Sequence, residues 1–121
     1  VIPKWVAGIL NKEDLFINGD GETSRDFCYI ENTVQINLLA ATTSNENATN
    51  QVYNVALNDR TSLNKLYQMI EEKLIERTEE LLNKIPIYRN FREGDVRHSQ
   101  ANIDKAKALL GYQPEYKISE G

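Results

Sequence analysis

The sequence holds one cysteine, one histidine, one methionine and one tryptophan, with only three prolines and six glycines in 121 residues. Cys28 has no partner for an internal disulfide, and neither it nor His98 stands in a metal-ligand spacing, which excludes a disulfide scaffold and a zinc site. No apolar run approaches the ~20 residues needed to cross a bilayer, and no signal-peptide pattern opens the chain. Cations are outnumbered: the net charge of −4 speaks against a nucleic-acid or anionic-membrane partner. Repeats and low-complexity segments are also missing. What remains is 40% hydrophobic and 26% charged, an ordinary globular composition. A chain of this length buries roughly two thirds of its unfolded surface, enough for one core. The expectation is a reduced, cytoplasmic, mildly acidic piece.

Hydrophobic periodicity predicts an α/β chain of mixed α+β character, with short strands and about four helices. Ile2, Trp5, Val6, Ile9 and Leu10 recur at helical spacing, with Pro3 in the first turn, where its missing N–H costs nothing. Residues 15–18 read as a strand ended by Gly19-Asp20-Gly21, and 25–30 as a second strand. A helix is expected over 31–41 with Val34, Leu38 and Ala41 on its apolar face, then a polar loop over 44–50 and a strand over 51–57. Thr61 or Ser62 caps the longest helix, predicted to run to about Leu82. Its buried stripe is Leu63, Leu66, Tyr67, Ile70, Leu74 and Leu81, and Glu71, Glu72, Glu76, Glu79 and Glu80 form a solvated face. A strand over 85–91, a loop over 92–100 and a helix over 103–110, capped by Asn102 and stopped by Gly111, complete the chain. Both ends read as cut, so a fragment of a longer protein is expected.

Polar groups concentrate in three places. Gly19-Asp20-Gly21 invites comparison with a dinucleotide fingerprint, but Ser24 replaces the third glycine. A strand, moreover, is expected to follow where pyrophosphate binding needs a helix N-terminus, so the motif is rejected. Arg25 opens an apolar strand, where it either makes a surface ion pair or meets an anion. Arg89, Arg92 and Arg97 fall within nine residues, around Gly94 and Asp95. Arginine forks suit phosphate oxygens, and the acceptor-only Asp95 suits ribose hydroxyls. A solvated loop with local salt bridges is the other reading of that pattern. His98, the single histidine, stands beside Arg97 and Ser99 and reads as a hydrogen-bonding loop residue rather than a base.

In order along the chain, Phe16-Ile17-Asn18-Gly19-Asp20-Gly21-Glu22-Thr23-Ser24-Arg25-Asp26-Phe27-Cys28-Tyr29-Ile30, then Arg92-Glu93-Gly94-Asp95-Val96-Arg97-His98-Ser99-Gln100-Ala101-Asn102, then Leu109-Leu110-Gly111-Tyr112-Gln113-Pro114 resemble the substrate domain of extended short-chain dehydrogenase/reductases that act on nucleotide sugars. The likeness is nearest to the UDP-N-acetylglucosamine 4-epimerase group of bacterial surface-polysaccharide synthesis, lipopolysaccharide included. The family carries NAD on an N-terminal Rossmann half and catalyses with a Tyr-x-x-x-Lys pair. Neither its glycine fingerprint nor that pair occurs here: Thr33, Leu57, Glu71, Arg92, Tyr116 and Glu120 stand four residues after the six tyrosines.

The resemblance therefore implies that residues 1–121 are the C-terminal, UDP-sugar-binding fragment of a homo-oligomeric, NAD-dependent UDP-GlcNAc/UDP-GalNAc 4-epimerase, inactive by itself. It implies Arg25 and Arg92 on the diphosphate, Asp95 on the ribose, and Phe16 and Asn18 along the uracil. Ser99 matches the position beside the sugar C2 substituent, where a small side chain leaves room for an N-acetyl group. The implied reaction of the whole enzyme removes hydride from sugar C4, turns the 4-keto sugar and returns hydride to its other face. A nucleotide-sugar dehydratase or decarboxylase shares the same anchors, and a non-catalytic nucleotide- or protein-binding module is the reading from another class.

Overall fold

The computed structural model describes residues 1–78 and 85–121. Buried residues divide between two compact units, one comprising Val1–Ser24 and Thr61–His98, the other Arg25–Arg60 and Ser99–Gly121.

In the first unit, α1 (Ile2–Leu10) carries Pro3 in its first turn and buries Trp5 and Ile9. It packs on α3 (Leu63–Thr78), where the Trp5 ring meets Tyr67 edge-on at 6.1 Å. Aromatic pairs favour that arrangement because a positive ring edge faces a negative ring face. Leu66, Tyr67 and Ile70 are buried along α3 as the 3.6-residue period requires, and Ser62 Oγ accepts the Lys65 N–H at its start. The predicted continuation to Leu82, with Glu79, Glu80 and Leu81, lies outside the described residues. Glu71 departs from the solvated face: it is half-buried and accepts the Tyr67 hydroxyl at 3.1 Å. β1 (Phe16–Asn18) pairs in parallel with β4 (Ile87–Arg89), in the register Phe16 to Ile87, Ile17 to Tyr88 and Asn18 to Arg89. Parallel neighbours need a long crossover between them, which is the place α3 occupies in the sequence. β2 (Ser24–Arg25) and β3 (Thr61–Ser62) make a second two-stranded ladder.

In the second unit, α2 (Ile30–Thr42), a 3-10 turn (Glu46–Ala48) and α4 (Asp104–Leu110) enclose Ile36, Ala48, Ala56, Ile103, Ala106, Leu110 and Tyr112. Tyr112 is fully buried, and its hydroxyl donates to the Ala56 carbonyl at 3.0 Å, the partner a buried phenol needs. Gly111 ends α4 at φ 68°, the left-handed conformation that glycine adopts without strain.

Three expectations are corrected. The strand over 25–30 shrinks to its first residue, because the next groups are committed elsewhere. Asp26 accepts the N–H groups of Leu57 and Ala101, and the Tyr29 carbonyl receives the Asn32 N–H as α2 starts. The segment 51–57 alternates as a strand should, yet no strand lies beside it among the described residues, and Val52 is 85% exposed. Alternation supplies a side-chain pattern; a ladder also needs a backbone partner. Finally, α2 buries the opposite face from the one predicted. Val34, Leu38 and Ala41 are exposed, whereas Asn32 and Ile36 are buried.

Candidate functional site

The first unit contains a loop system built on β1 and β4. Alternation along β1 buries Ile17 and turns Phe16 and Asn18 outward together, the two positions expected along a nucleobase. Gly19 donates its N–H to the Arg89 carbonyl at 2.8 Å, which carries the ladder one step past the strand. The chain then turns through Gly19 (φ 79°) and Gly21 (φ 78°), conformations that disfavour a side chain. A Cβ on Gly19 would run into the Phe91 ring, and one on Gly21 would run into the Asn64 amide. Both glycines are therefore places where backbone is closely approached.

Asn64 is a hub that sequence reasoning missed. Its amide donates to the Asp20 carbonyl (3.1 Å) and to the Glu22 carboxylate (2.7 Å), and it accepts the Tyr88 hydroxyl (2.9 Å). The Leu63 and Asn64 N–H groups, free at the start of α3, donate to the Thr23 and Gly21 carbonyls. The only sequence signal for this was Gly-Asp-Gly followed 40 residues later by a capped helix.

The structure sorts the three loop arginines. Arg89 lies over the Phe16 ring, 3.2 Å from its centroid. Arg97 forks onto the Asp20 carboxylate with bonds of 2.8 and 2.6 Å, and stands 5.1 Å from the Phe91 centroid. Those bonds hold the Asp20 carboxyl at about 2, below the ordinary 3.8. Arg92 is exposed, and its guanidinium has no partner among the described residues. It is the one of the three with neither a ring nor a carboxylate against it among the described residues.

Arg92 and Asp95 are brought together by a tight turn. Asp95 donates its N–H to the Arg92 carbonyl at 3.2 Å, and Gly94 supplies the positive φ (76°) that such a turn needs. No atom comes near the Gly94 Cβ position, so its glycine serves the backbone conformation rather than packing within the chain. The segment leaving the turn pairs with the other loop: Ser24 donates its N–H to the Arg97 carbonyl, and Ser24 Oγ shares a 2.8 Å hydrogen bond with His98 Nδ1. His98 is thus a loop-bonding residue, as its sequence context suggested.

Arg25 and Ser99 fall in the second unit. Arg25 is half-buried at the end of β2, and Ser99 is exposed. Asp26, beside Arg25, receives the Ala101 N–H at 3.3 Å and the Leu57 N–H at 3.0 Å, and so fastens the chain near both. The site residues expected from sequence therefore fall into two groups, Phe16, Asn18, Arg92 and Asp95 in one unit, Arg25 and Ser99 in the other.

The residues present do not fit a dinucleotide. Gly19 and Gly21 lead into β2 rather than into the helix N-terminus that a pyrophosphate needs. Among the described residues, no group of His, Cys, Asp and Glu is placed to hold a metal, and no helix is long and apolar enough to cross a membrane.

This small mixed α/β arrangement, with four helices among the described residues, matches the C-terminal part of epimerases of the short-chain dehydrogenase/reductase type. The chain belongs to the GDP-mannose 4,6 dehydratase family, whose model matches residues 1–121. A UDP-glucose 4-epimerase of Thermotoga maritima, solved with UDP-glucose, superposes with a TM-score of 0.82 at 33% identity, over 99% of this chain and 36% of that one. A UDP-N-acetylglucosamine 4-epimerase of Methanobrevibacter ruminantium, solved with UDP-N-acetylmuramic acid, gives 0.80 at 36% identity, over 95% of this chain and 34% of that one. A UDP-glucuronic acid 4-epimerase of Bacillus cereus, solved with UDP-glucuronic acid and NAD, gives 0.84 at 26%, over 99% and 36%. Further relatives are UDP-sugar epimerases and decarboxylases. The chain spans about a third of the length of the proteins it matches.

Proposed function

We propose that residues 1–121 are the C-terminal substrate-binding part of an NAD-dependent UDP-sugar 4-epimerase, with UDP-N-acetylhexosamines as the preferred substrates. The observation that carries the reading is the 92–95 turn, which brings the backbone of Asp95 to that of Arg92, whose guanidinium has no partner among the described residues. Such a turn offers a fork for a diphosphate and an acceptor for a ribose within one short segment. Phe16 and Asn18, side by side on the outward face of β1, supply an apolar ring and an amide for a uracil. Arg25 is the second diphosphate contact in this reading, and Ser99 the residue beside the sugar C2 substituent. That the T. maritima, M. ruminantium and B. cereus enzymes were solved with UDP-sugars supports this assignment.

The work of these residues is positioning. A 4-epimerase must hold UDP fixed while the oxidised hexose turns over between two hydride transfers, so nucleotide anchors raise the effective concentration of each face without moving a proton. NAD, bound elsewhere in the parent protein, supplies the hydride chemistry. The parent is proposed to be a cytoplasmic homo-oligomer serving surface-polysaccharide synthesis.

Two variants of the full-length protein test the assignment. Arg92→Ala is expected to weaken every UDP-sugar alike, since losing a charge-assisted hydrogen bond costs roughly 1.5–3 kcal/mol, about ten- to a hundredfold in affinity. Ser99→Tyr is expected to lower kcat/KM for UDP-N-acetylglucosamine while sparing UDP-glucose, because it fills space and removes no charge. Equal loss on both substrates would remove Ser99 from the C2 pocket and the acetamido preference with it. Conversion of UDP-glucuronic acid to a pentose product by the full-length protein would replace the epimerase reading with a decarboxylase.

A further inference from the structure

We propose that Asp20 and Arg97 form a clamp that positions the 92–95 turn for the nucleotide, so that both are positioning residues and neither is itself a diphosphate contact. The inference rests on the reading of Arg92 and Asp95 as UDP contacts.

The geometry points to this from both ends of the turn. On one side, the Phe91 ring lies against the backbone of Gly19, at a distance that leaves no room for a Cβ there. On the other, Arg97 grips Asp20 through two charge-assisted bonds, 2.8 and 2.6 Å long. The same guanidinium stands 5.1 Å from the Phe91 centroid, so the two fastenings also touch each other. The Arg97 carbonyl is held as well, by the Ser24 N–H at 2.9 Å. Residues 92–96, all of them exposed, lie between these points. Arg92 and Asp95 are therefore carried on a five-residue span whose two ends are fastened to the 19–24 loop.

That loop is itself fixed. Asp20 Oδ1 accepts the Glu22 N–H at 2.9 Å, and Asn64 holds the Asp20 carbonyl and the Glu22 carboxylate. The span thus refers, through one ion pair and one ring, to the start of α3. An exposed ion pair contributes little to global stability, because water screens it. Its effect here is on preorganisation: what the pair no longer positions, the nucleotide would have to position, at the expense of affinity. Arginine is required rather than lysine, because the bidentate fork fixes direction as well as distance.

The test uses the full-length protein, with UDP as the probe in titration calorimetry and steady-state kinetics on a UDP-sugar. Asp20→Asn and Arg97→Lys are each expected to raise the Kd for UDP about tenfold, with the loss falling on KM and not on kcat. The exchange of both residues, Asp20→Arg with Arg97→Asp, is expected to recover most of the affinity lost by either charge change alone. Arg92→Ala is the reference. If Arg92→Ala weakens UDP while Asp20→Asn and Arg97→Lys bind it as the unaltered protein does, the clamp is overturned and the site reading stands. If Arg92→Ala leaves UDP binding unchanged, the site reading fails and the clamp falls with it. If both clamp variants lose the near-UV circular dichroism of the unaltered protein, the pair is structural and the proposal is overturned.

Discussion

Three arginines with the same formal charge take three different roles within nine residues, and what separates them is the partner each one meets. Arg89 meets a ring, Arg97 a carboxylate, and Arg92 only solvent among the described residues. Sequence spacing shows the cluster but cannot assign these roles, because Phe16 and Asp20 lie some 70 residues earlier in the chain. The pairing of Asp20 leaves a direct signature. Hydrogen bonds from Arg97, and then from the Glu22 backbone, stabilise the ionised carboxylate and hold it at about 2 instead of 3.8. A carboxyl with a lowered folded value contributes stability above its unfolded value and loses it as the pH falls through the folded one. The contribution of Asp20 should therefore persist at pH 3.8 and vanish as the pH falls through about 2. Carboxyl NMR is expected to show its midpoint near the lower value, and in Arg97→Ala a midpoint raised toward the ordinary one, with the Glu22 N–H still bonded. An Asp20 midpoint near 3.8 in the unaltered protein would mean that the fork is absent in solution.

Among the elements, α2 shows how one polar residue decides which side of a helix is buried. Its sequence offers two stripes, Val34, Leu38 and Ala41 or Asn32, Ile36 and Leu39, and hydrophobicity alone favours the first. The second wins because Asn32 is 1% exposed and bonded through both its oxygen and its nitrogen. Its Oδ1 accepts the Glu115 and Tyr116 N–H groups at 2.9 and 3.1 Å, and its Nδ2 donates to the Tyr116 carbonyl at 2.7 Å. A buried amide that satisfies three backbone groups ties α2 to the C-terminal segment, and the loss of even one such partner costs roughly 1–3 kcal/mol. Asn32→Leu is therefore expected to destabilise by at least about that amount in urea titration, although it adds apolar volume to a buried face. Unchanged or increased stability would show that the network is dispensable. The same element marks what was legible beforehand. The existence of α1 to α4, the Ser62 cap and the Gly111 stop followed from period and capping chemistry. The strands over 25–30 and 51–57 were misjudged because their backbone partners, unlike their side-chain pattern, are not written locally. In the candidate site, the grouping of Arg92 and Asp95 around Gly94 in a loop was legible, whereas Asn64 and the partner of Arg97 depended on distant contacts.

For the molecule as a whole, the proposed epimerase reading bounds what these 121 residues can do by themselves. Epimerisation at C4 needs a hydride acceptor and a group to take and return the hydroxyl proton, in addition to anchors for the nucleotide. In the proposed reading, anchors are what the described residues supply. The glycine loop leads into a strand, and none of the six tyrosines is followed by lysine four residues later. Tyr67 and Tyr112 are further from proton-transfer chemistry still, since burial pushes both phenols up to about 12. At neutral pH they stay protonated, and Tyr112 is committed to a backbone carbonyl. His98, the one imidazole, is bonded to Ser24. With UDP-N-acetylglucosamine and NAD supplied together, the purified 121-residue chain is expected to give no UDP-N-acetylgalactosamine above a buffer control, and no change in nicotinamide fluorescence on addition of NADH. The full-length protein, under the same conditions, is expected to do both. Turnover by the short chain, persisting after contaminating enzyme is removed and abolished by Arg92→Ala, would place a proton-transfer group among residues assigned here to positioning alone.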